Sequence, residues 1–377
     1  MEFLNLIWTN GLSFVFILSV IVFVHEMGHY LIARYYGVRV EVFSIGFGPE
    51  LFGWDARSGT RWKISALPIG GYVKMFGDAD AASTPGGEVS TMSPAERAVS
   101  FHHKSLGQRT AVIFGGPFAN FLLAVVILAG LFMTVGQRIT PADISAVVAG
   151  SAADQAGMQP GDMVLSIDDR AIGRFEELQA VVRESAGVPL RIVVLRDGTE
   201  VELFITPRKA EREDRFGNLV RYGELGVSRS GVSFVRHGPL TAVWAATKET
   251  YRLTNATLRA VGQMIAGTRG TDELGGPVRI VQLSGQVAED GIVTVFWFMA
   301  LLSINLGLIN LFPIPMLDGG HLLFYAFEAI RGKPLGERTQ EYGFRIGLAL
   351  VVTLMVFATW NDLVNLKIVD FFFDLFS

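Results

Sequence analysis

A polytopic helical membrane protein of about four spans, carrying a membrane-associated β region and an inserted α+β domain, is the fold class this sequence predicts. Three observations predict it. Half of the 377 residues are hydrophobic and only 18% are charged, against about 25% in a typical soluble domain; the mean hydropathy is +0.39. Several uncharged apolar runs approach or exceed the roughly 20 residues that cross a bilayer. Between them lies a stretch of period-two alternation bounded by turn residues, which is strand patterning. The net charge of −4 argues against a nucleic-acid partner. There are no cysteines, so any metal must be held by His, Asp or Glu.

The first span is expected within residues 1–37. Phe3 to Val24 carries no charge, and Met1-Glu2-Phe3 has neither a basic n-region nor a cleavage site, so the run reads as a retained span. Residues 38–76 alternate at Val38, Val40 and Val42 and again at Trp62, Ile64 and Ala66. Gly46-Phe47-Gly48-Pro49 and Gly70-Gly71 punctuate them, which predicts β-hairpin structure near the inner surface. Residues 77–107 read as a cytoplasmic loop. Its part 77–91 is small, polar and flexible, and His102-His103 is solvated. The second span, in 108–137, is the uncharged run Thr110 to Val135. Residues 141–208 predict a compact mixed domain. Strands are expected at Ile144 to Val148, Met163 to Ile167, Leu190 to Leu195 and Val201 to Ile205, with a helix at Phe175 to Ser185. Turns fall at Gln159-Pro160-Gly161-Asp162 and Arg196-Asp197-Gly198-Thr199.

Within 209–290, residues 210–237 are polar and loop-rich, His237 included. From Leu240 a stripe recurs at Trp244, Thr247, Tyr251, Thr254, Leu258, Val261 and Ile265. That predicts an amphipathic helix, lying on the membrane surface or packed against protein. The third span, in 291–330, is Ile292 to Leu317; the fourth, in 343–365, centres on Gly347 to Asn361 between Arg345 and Asp362; 366–377 is a tail. Arg34, Arg39, Arg97, Lys104, Arg109, Arg331, Lys333, Arg338 and Arg345 fall in loops that should be cytoplasmic. The termini and the inserted domain then lie on the outer side.

The chemistry-bearing pattern sits at the inner end of span one. His25-Glu26-Met27-Gly28-His29 ends an apolar run, and residues four apart share a helix face, so both imidazoles can face one ion with Glu26 beside them. Two ring nitrogens plus a carboxylate base is the zinc-hydrolase pattern. By accident it arises in roughly 1 in 200 chains of this composition. The bland alternative is a polar helix end anchored at the membrane surface. Each ionisable group in mid-span costs about 2.5–3.5 kcal/mol, which calls for a compensating role such as metal binding. At the same depth in span three lies Asn310-Leu311-Phe312-Pro313-Ile314-Pro315-Met316-Leu317-Asp318-Gly319-Gly320-His321. Two prolines break the helix, and broken backbone at membrane depth is tolerated where it lines a watery cavity. Asp318 closes the break and is the candidate third zinc ligand; the alternative is a cap on a cytoplasmic helix. His321 could compete as ligand and reads better as a supporting residue.

Taken in order, these motifs resemble the site-2 protease family. They are His25-Glu26-x-x-His29, Gly116-Pro117-x-x-Asn120, an insert whose Gly157 to Asp168 looks like a PDZ strand and turn, and Asn310-x-x-Pro313-x-Pro315-x-x-Asp318-Gly319. The match is closest to the bacterial regulator of sigma-E protease group and covers nearly the whole chain. The resemblance implies an intramembrane zinc (Zn2+) metalloendopeptidase of the bacterial inner membrane, with Glu26 as catalytic residue and His25, His29 and Asp318 on the metal. Its substrates would be single-span membrane proteins such as anti-sigma factors, or remnant signal peptides. It further implies that residues 38–76 pair with an unwound substrate, and that Asn310, Pro313 and Pro315 hold it. PDZ domains bind peptide ends by strand addition, and membrane lipid is the remaining expected partner. Well-known members carry two tandem PDZ domains; one is found here. The competing reading from another class is a membrane-bound PDZ adaptor with a structural or inactive metal site.

Overall fold

The computed structural model describes the backbone of residues 2–79, 91–213, 219–229, 231, 233–267 and 275–365, with side chains omitted at 2–9, 69, 211–213, 219–221, 337 and 365. Most of the polar stretch 77–91 and the tail 366–377 lie outside the described residues. The chain divides into two compact units, Met1–Leu131 with Pro239–Ser377, and Phe132–Gly238.

The first unit opens with α1 (Glu2–Tyr35), which runs unbroken from the apolar stretch through His25 and His29. A hairpin follows, β1 (Val40–Asp55) paired antiparallel to β2 (Arg61–Met75). Aromatic packing ties the hairpin to α1. Phe43 is 1% exposed, stacks on Trp62 at 4.3 Å and meets the rings of Phe23 and Tyr30 at 5.8 Å. Burying one such side chain contributes about 1.5–3 kcal/mol. The hairpin's far end is left bare, with Leu51, Phe52 and Trp54 exposed.

Next comes α2 (Pro94–Val99), opened by a Ser93/Glu96 capping box, and then α3 (Leu106–Thr134). The solvated reading of His102-His103 is corrected for His102. Its ring lies 2.9 Å from the buried Asp78 carboxylate, because the turn at 101–103 folds under Phe76.

The second unit comprises β3 (Gln137–Ile139), β4 (Ile144–Val147), α4 (Ala152–Gln155), β5 (Met163–Ile167), β6 (Arg170–Ala171), α5 (Phe175–Glu184), β7 (Leu190–Arg196), β8 (Thr199–Ile205), β9 (Arg208–Glu213), β10 (Leu219–Glu224), β11 (Val227–Arg229) and β12 (Ser233–Val235). Four strands form one sheet in the order β6-β5-β7-β8. The inward residues of its alternation, Val164, Ile167, Ile192, Val194 and Ile205, join Leu178 and Val182 of α5 in one core. Asp197 and Gly198 both have positive φ, the backbone a two-residue hairpin demands. The loop-rich expectation for 210–237 is corrected. β9 pairs with β10, β11 with β4, and β12 with β3, so the unit begins and ends well outside 141–208. His237 also belongs here, its ring 3.1 Å from the Gln137 side chain.

The chain returns to the first unit with α6 (Pro239–Ile265), α7 (Pro277–Glu289), α8 (Ile292–Asn310), α9 (Asp318–Arg331) and α10 (Glu337–Asn365). The apolar stripe of α6 is not a packing face. Trp244, Tyr251 and Ile265 are exposed while Ala242, Ala246, Glu249 and Thr250 are buried, a distribution a lipid environment accommodates. The Thr257 hydroxyl donates to Asn305 of α8 at 3.2 Å, tying α6 to an apolar span. Among the described residues four helices are long and apolar enough to cross a membrane: Asn10–Tyr35, Leu106–Thr134, Ile292–Asn310 and Arg338–Val364. Two differ from expectation. The third stops at Asn310, since Pro313 and Pro315 cannot donate to the helical ladder. The fourth begins near Glu337, where Arg345 pairs with Glu341 one turn back at 2.6 Å.

Candidate metal centre

α1 and α3 cross where both backbones are bare. A Cβ on Gly28 would lie 2.2 Å from the Gly115 carbonyl oxygen, and one on Gly116 would lie 2.2 Å from His29 Nε2. Only glycine leaves room for that crossing and for the imidazole in it. The third contributor arrives from the proline break. Past Pro313 and Pro315, Met316 takes φ +89°, a left-handed conformation costly to a side chain. Leu317 then closes a turn on Ile314 at 3.0 Å, and α9 starts at Asp318. Gly319 and Gly320 let that start nestle under its own turn, since Cβ atoms there would lie 2.2 Å from Phe312 O and 2.5 Å from Ile314 O.

The result is a convergence across about three hundred residues. His25 Nε2 lies 3.2 Å from His29 Nε2 and 3.2 Å from Asp318 Oδ2, and His29 Nε2 lies 3.5 Å from Asp318 Oδ1. Both histidines and Glu26 are buried. Among the described residues, His25, His29 and Asp318 form the one group of side chains whose donor atoms could hold an ion.

These residues fit a zinc ion. Donors on a tetrahedral zinc at about 2.0–2.1 Å sit about 3.4 Å from one another, close to the separations observed. Two imidazole nitrogens and a carboxylate facing one point crowd lone pairs together unless a cation lies between them. Asp318 Oδ2 is buried and has no hydrogen-bond partner among the described residues, although His25 is near. His29 Nδ1 donates to Val112 O at 2.9 Å, which leaves Nε2 free of its proton and available to a metal.

A cavity of about 540 Å³ opens on this centre. Its wall includes Glu26, Gly70, Gly71, Asn310, Met316 and His321 as well as the three donors. Glu26 therefore shares the space in front of the donors, with β2 passing over it at Gly71. Of the residues expected to hold substrate, Asn310 lines the cavity. Pro313 and Pro315 are not in its wall; they shape the turn that presents Met316, Leu317 and Asp318. His321 lines the cavity beside Phe344, its ring 5.3 Å away, and stands outside the donor group. The sequence marks Gly115-Gly116 as a place of close chain approach, which the α1–α3 crossing bears out, but it assigns no task to Val112 or Asn120. The signal was present in the four-residue spacing of Gly116 and Asn120 on α3, which turns both toward α1.

The sequence pattern of peptidase family M50 matches residues 13–354. The chain belongs to that family. It is accordingly a zinc-dependent peptide hydrolase and an integral membrane protein. Relatives match over more than nine-tenths of the chain. The "Putative zinc metalloprotease" of Rhizobium meliloti (strain 1021) is 45% identical over 356 residues, covering 93% of this chain and 95% of its own. A protein of the same name from Agrobacterium fabrum is 46% identical over 358 residues, covering 94% and 95%. Metalloprotease MmpA of Caulobacter vibrioides is 39% identical over 389 residues, covering 97% and 98%. The M50 assignment accounts for the donor set, since a cysteine-free chain has only imidazole and carboxylate to offer zinc.

Proposed function

We propose that this M50 peptidase cuts single-span membrane proteins, of the anti-sigma factor or remnant signal peptide type, within the bilayer of the bacterial inner membrane. The observation that carries the reading is the meeting of His25 and His29, from one apolar helix, and Asp318, from the break after another, in one cavity with Glu26. His25 Nε2, His29 Nε2 and a carboxylate oxygen of Asp318 would hold the metal. When bound, zinc lowers the pKa of a coordinated water to about 7 and polarises a carbonyl. Glu26 accepts the water's proton and delivers it to the leaving amine, a role worth about 10²–10⁴ in rate. Asn310 offers its amide to the substrate backbone. Exposed Phe47, on the β1 edge of the cavity, and the Gly70-Gly71 stretch of β2 flank an unwound segment.

The basic loops argue for a cytoplasmic-side centre and a second unit on the periplasmic side. We read that second unit as a single PDZ-like module. Its four-stranded sheet, its helix α5 and a cavity of about 190 Å³ between α5 and Tyr222–Val227 support this, and peptide ends would dock there. The adaptor alternative leaves Glu26 without a task.

Reconstitution in detergent with zinc and a single-span substrate tests the proposal. Wild type cleaves it, and Glu26→Gln keeps zinc yet loses at least about 100-fold in turnover. Equal cleavage by Glu26→Gln, or cleavage only of soluble chains, refutes the reading.

A further inference from the structure

The centre has a third helix behind it whose polar side chain no motif reading put to use. Asn120 of α3 is fully buried. Its side-chain amide lies 3.2 Å from His25 Nδ1, the ring nitrogen that faces away from the donor cluster. Its backbone carbonyl accepts the Ser303 hydroxyl of α8 at 2.9 Å, and Gly307 of α8 lets that helix come within 3.2 Å of the Asn120 Cβ, measured from where a Gly307 Cβ would stand. Asn120 is thus clamped from one side and aimed at His25 on the other.

A neutral imidazole carries one proton. If Nε2 binds a cation, that proton must sit on Nδ1 and needs an acceptor. His29 meets this demand with the Val112 carbonyl. For His25 the side-chain partner at this distance is Asn120. The amide's oxygen and nitrogen are isosteric ends of one group, and half a turn about χ2 exchanges them. With Nδ2 toward His25, the buried Oδ1 has no partner among the described residues, which costs about 1–3 kcal/mol. With Oδ1 toward His25, it accepts the Nδ1 proton, and Nε2 presents its lone pair to the ion.

We propose that Asn120 is a positioning residue for the metal centre: its amide oxygen fixes the tautomer and ring orientation of His25 so that Nε2 can bind zinc. This rests on the reading of His25 and His29 as ligands and deepens it. Asn120 touches neither substrate nor metal. Loss of such an outer partner weakens metal binding about 10–100-fold.

The test compares Asn120→Leu and Asn120→Asp in the full-length protein, purified in detergent and loaded with zinc. The readout is zinc retained per chain against a graded chelator, with thermal unfolding of the zinc-free forms measured alongside. Positioning predicts that Leu, which fills the same space without an acceptor, weakens zinc binding about 10–100-fold, while Asp, which offers an oxygen at either end, holds zinc at least as well as wild type. A role in helix packing alone predicts the reverse order, because an apolar side chain suits a buried interface and an added carboxylate does not. The Leu-over-Asp order, or wild-type retention in both variants, overturns the proposal. Should Asn120→Leu fail to fold, weakened binding in Asn120→Asp overturns it alone. A wild-type protein that takes up no zinc defeats this inference together with the ligand reading, whereas wild-type loading with unaltered Asn120→Leu defeats this inference only.

Discussion

Replacing Gly116 by alanine should damage the metal centre while favouring the helix that carries it. The new Cβ would stand 2.2 Å from His29 Nε2 and 2.7 Å from both Cδ2 and Cε1. Ordinary contact begins near 3.4 Å, so the ring must withdraw by roughly 1.2 Å or α1 and α3 must part by as much. Neither movement is cheap. His29 Nδ1 is tied to Val112 O at 2.9 Å, and the neighbouring Gly28 and Gly115 backbones already touch. Metal centres tolerate ligand displacements of only about 0.2 Å, so His29 would leave the ligand set. The expected loss in zinc affinity is at least about 100-fold. The helix itself gains, because alanine exceeds glycine in helix stability by about 0.5–1 kcal/mol. Competition with a chelator on detergent-purified protein, run beside thermal unfolding of the zinc-free form, separates the two effects. Wild-type zinc affinity in Gly116→Ala would refute the reasoning.

Other outcomes follow from the same geometry. Asp318→Asn should lower zinc per chain in metal analysis of purified protein, since the amide keeps the shape and removes the charge that balances the cation. Asp362→Ala should loosen the start of α7, because the Asp362 carboxylate of α10 accepts the Gly276 and Arg279 amides at 2.8 and 2.9 Å. A lost cap costs about 1–2 kcal/mol, so amide exchange at 276–280 should quicken about 5–30-fold. In the second unit Asp162 is buried, and burial alone pushes its pKa up. The Arg196 guanidinium at 2.7 Å and the Gln159 amide at 2.8 Å outweigh that and hold the carboxyl below its ordinary value. The folded-state value being the lower one, its stabilisation is present above the unfolded-state value of about 3.9 and fades as pH falls below it. Amide exchange in β5 and β7 should rise there in wild type and lose that pH step in Asp162→Asn.

How far the sequence could be read depended on the range of the interaction. The meeting of these side chains was legible because His25, Glu26 and His29 are fixed by one helical turn, and Asp318 because two prolines mark a break at matching depth. The sheet of the second unit was legible because β5, β7 and β8 alternate strongly and Asp197-Gly198 names its own turn. By contrast β11 and β12 are three residues each and exist by pairing with β4 and β3, some eighty to one hundred positions earlier, which no local pattern records. α7 escaped notice for a similar reason: its residues Ser284 and Gly285 are polar or small because they are buried tightly, Gly285 directly against Asn10 of α1. Packing against a neighbouring backbone selects for small residues, which leaves a weak hydropathy signal. The same applies to Asn120, whose partner is a ring on another helix, whereas the close approach at Gly115-Gly116 was legible from two adjacent small residues in an apolar run.

The most direct test of the account is anomalous diffraction at the zinc edge from crystals of the full-length, zinc-loaded protein. The predicted result is one ion within about 2.2 Å of His25 Nε2, His29 Nε2 and an Asp318 carboxylate oxygen. A zinc peak elsewhere, or an ion held by the two imidazoles with Asp318 turned away, would contradict it.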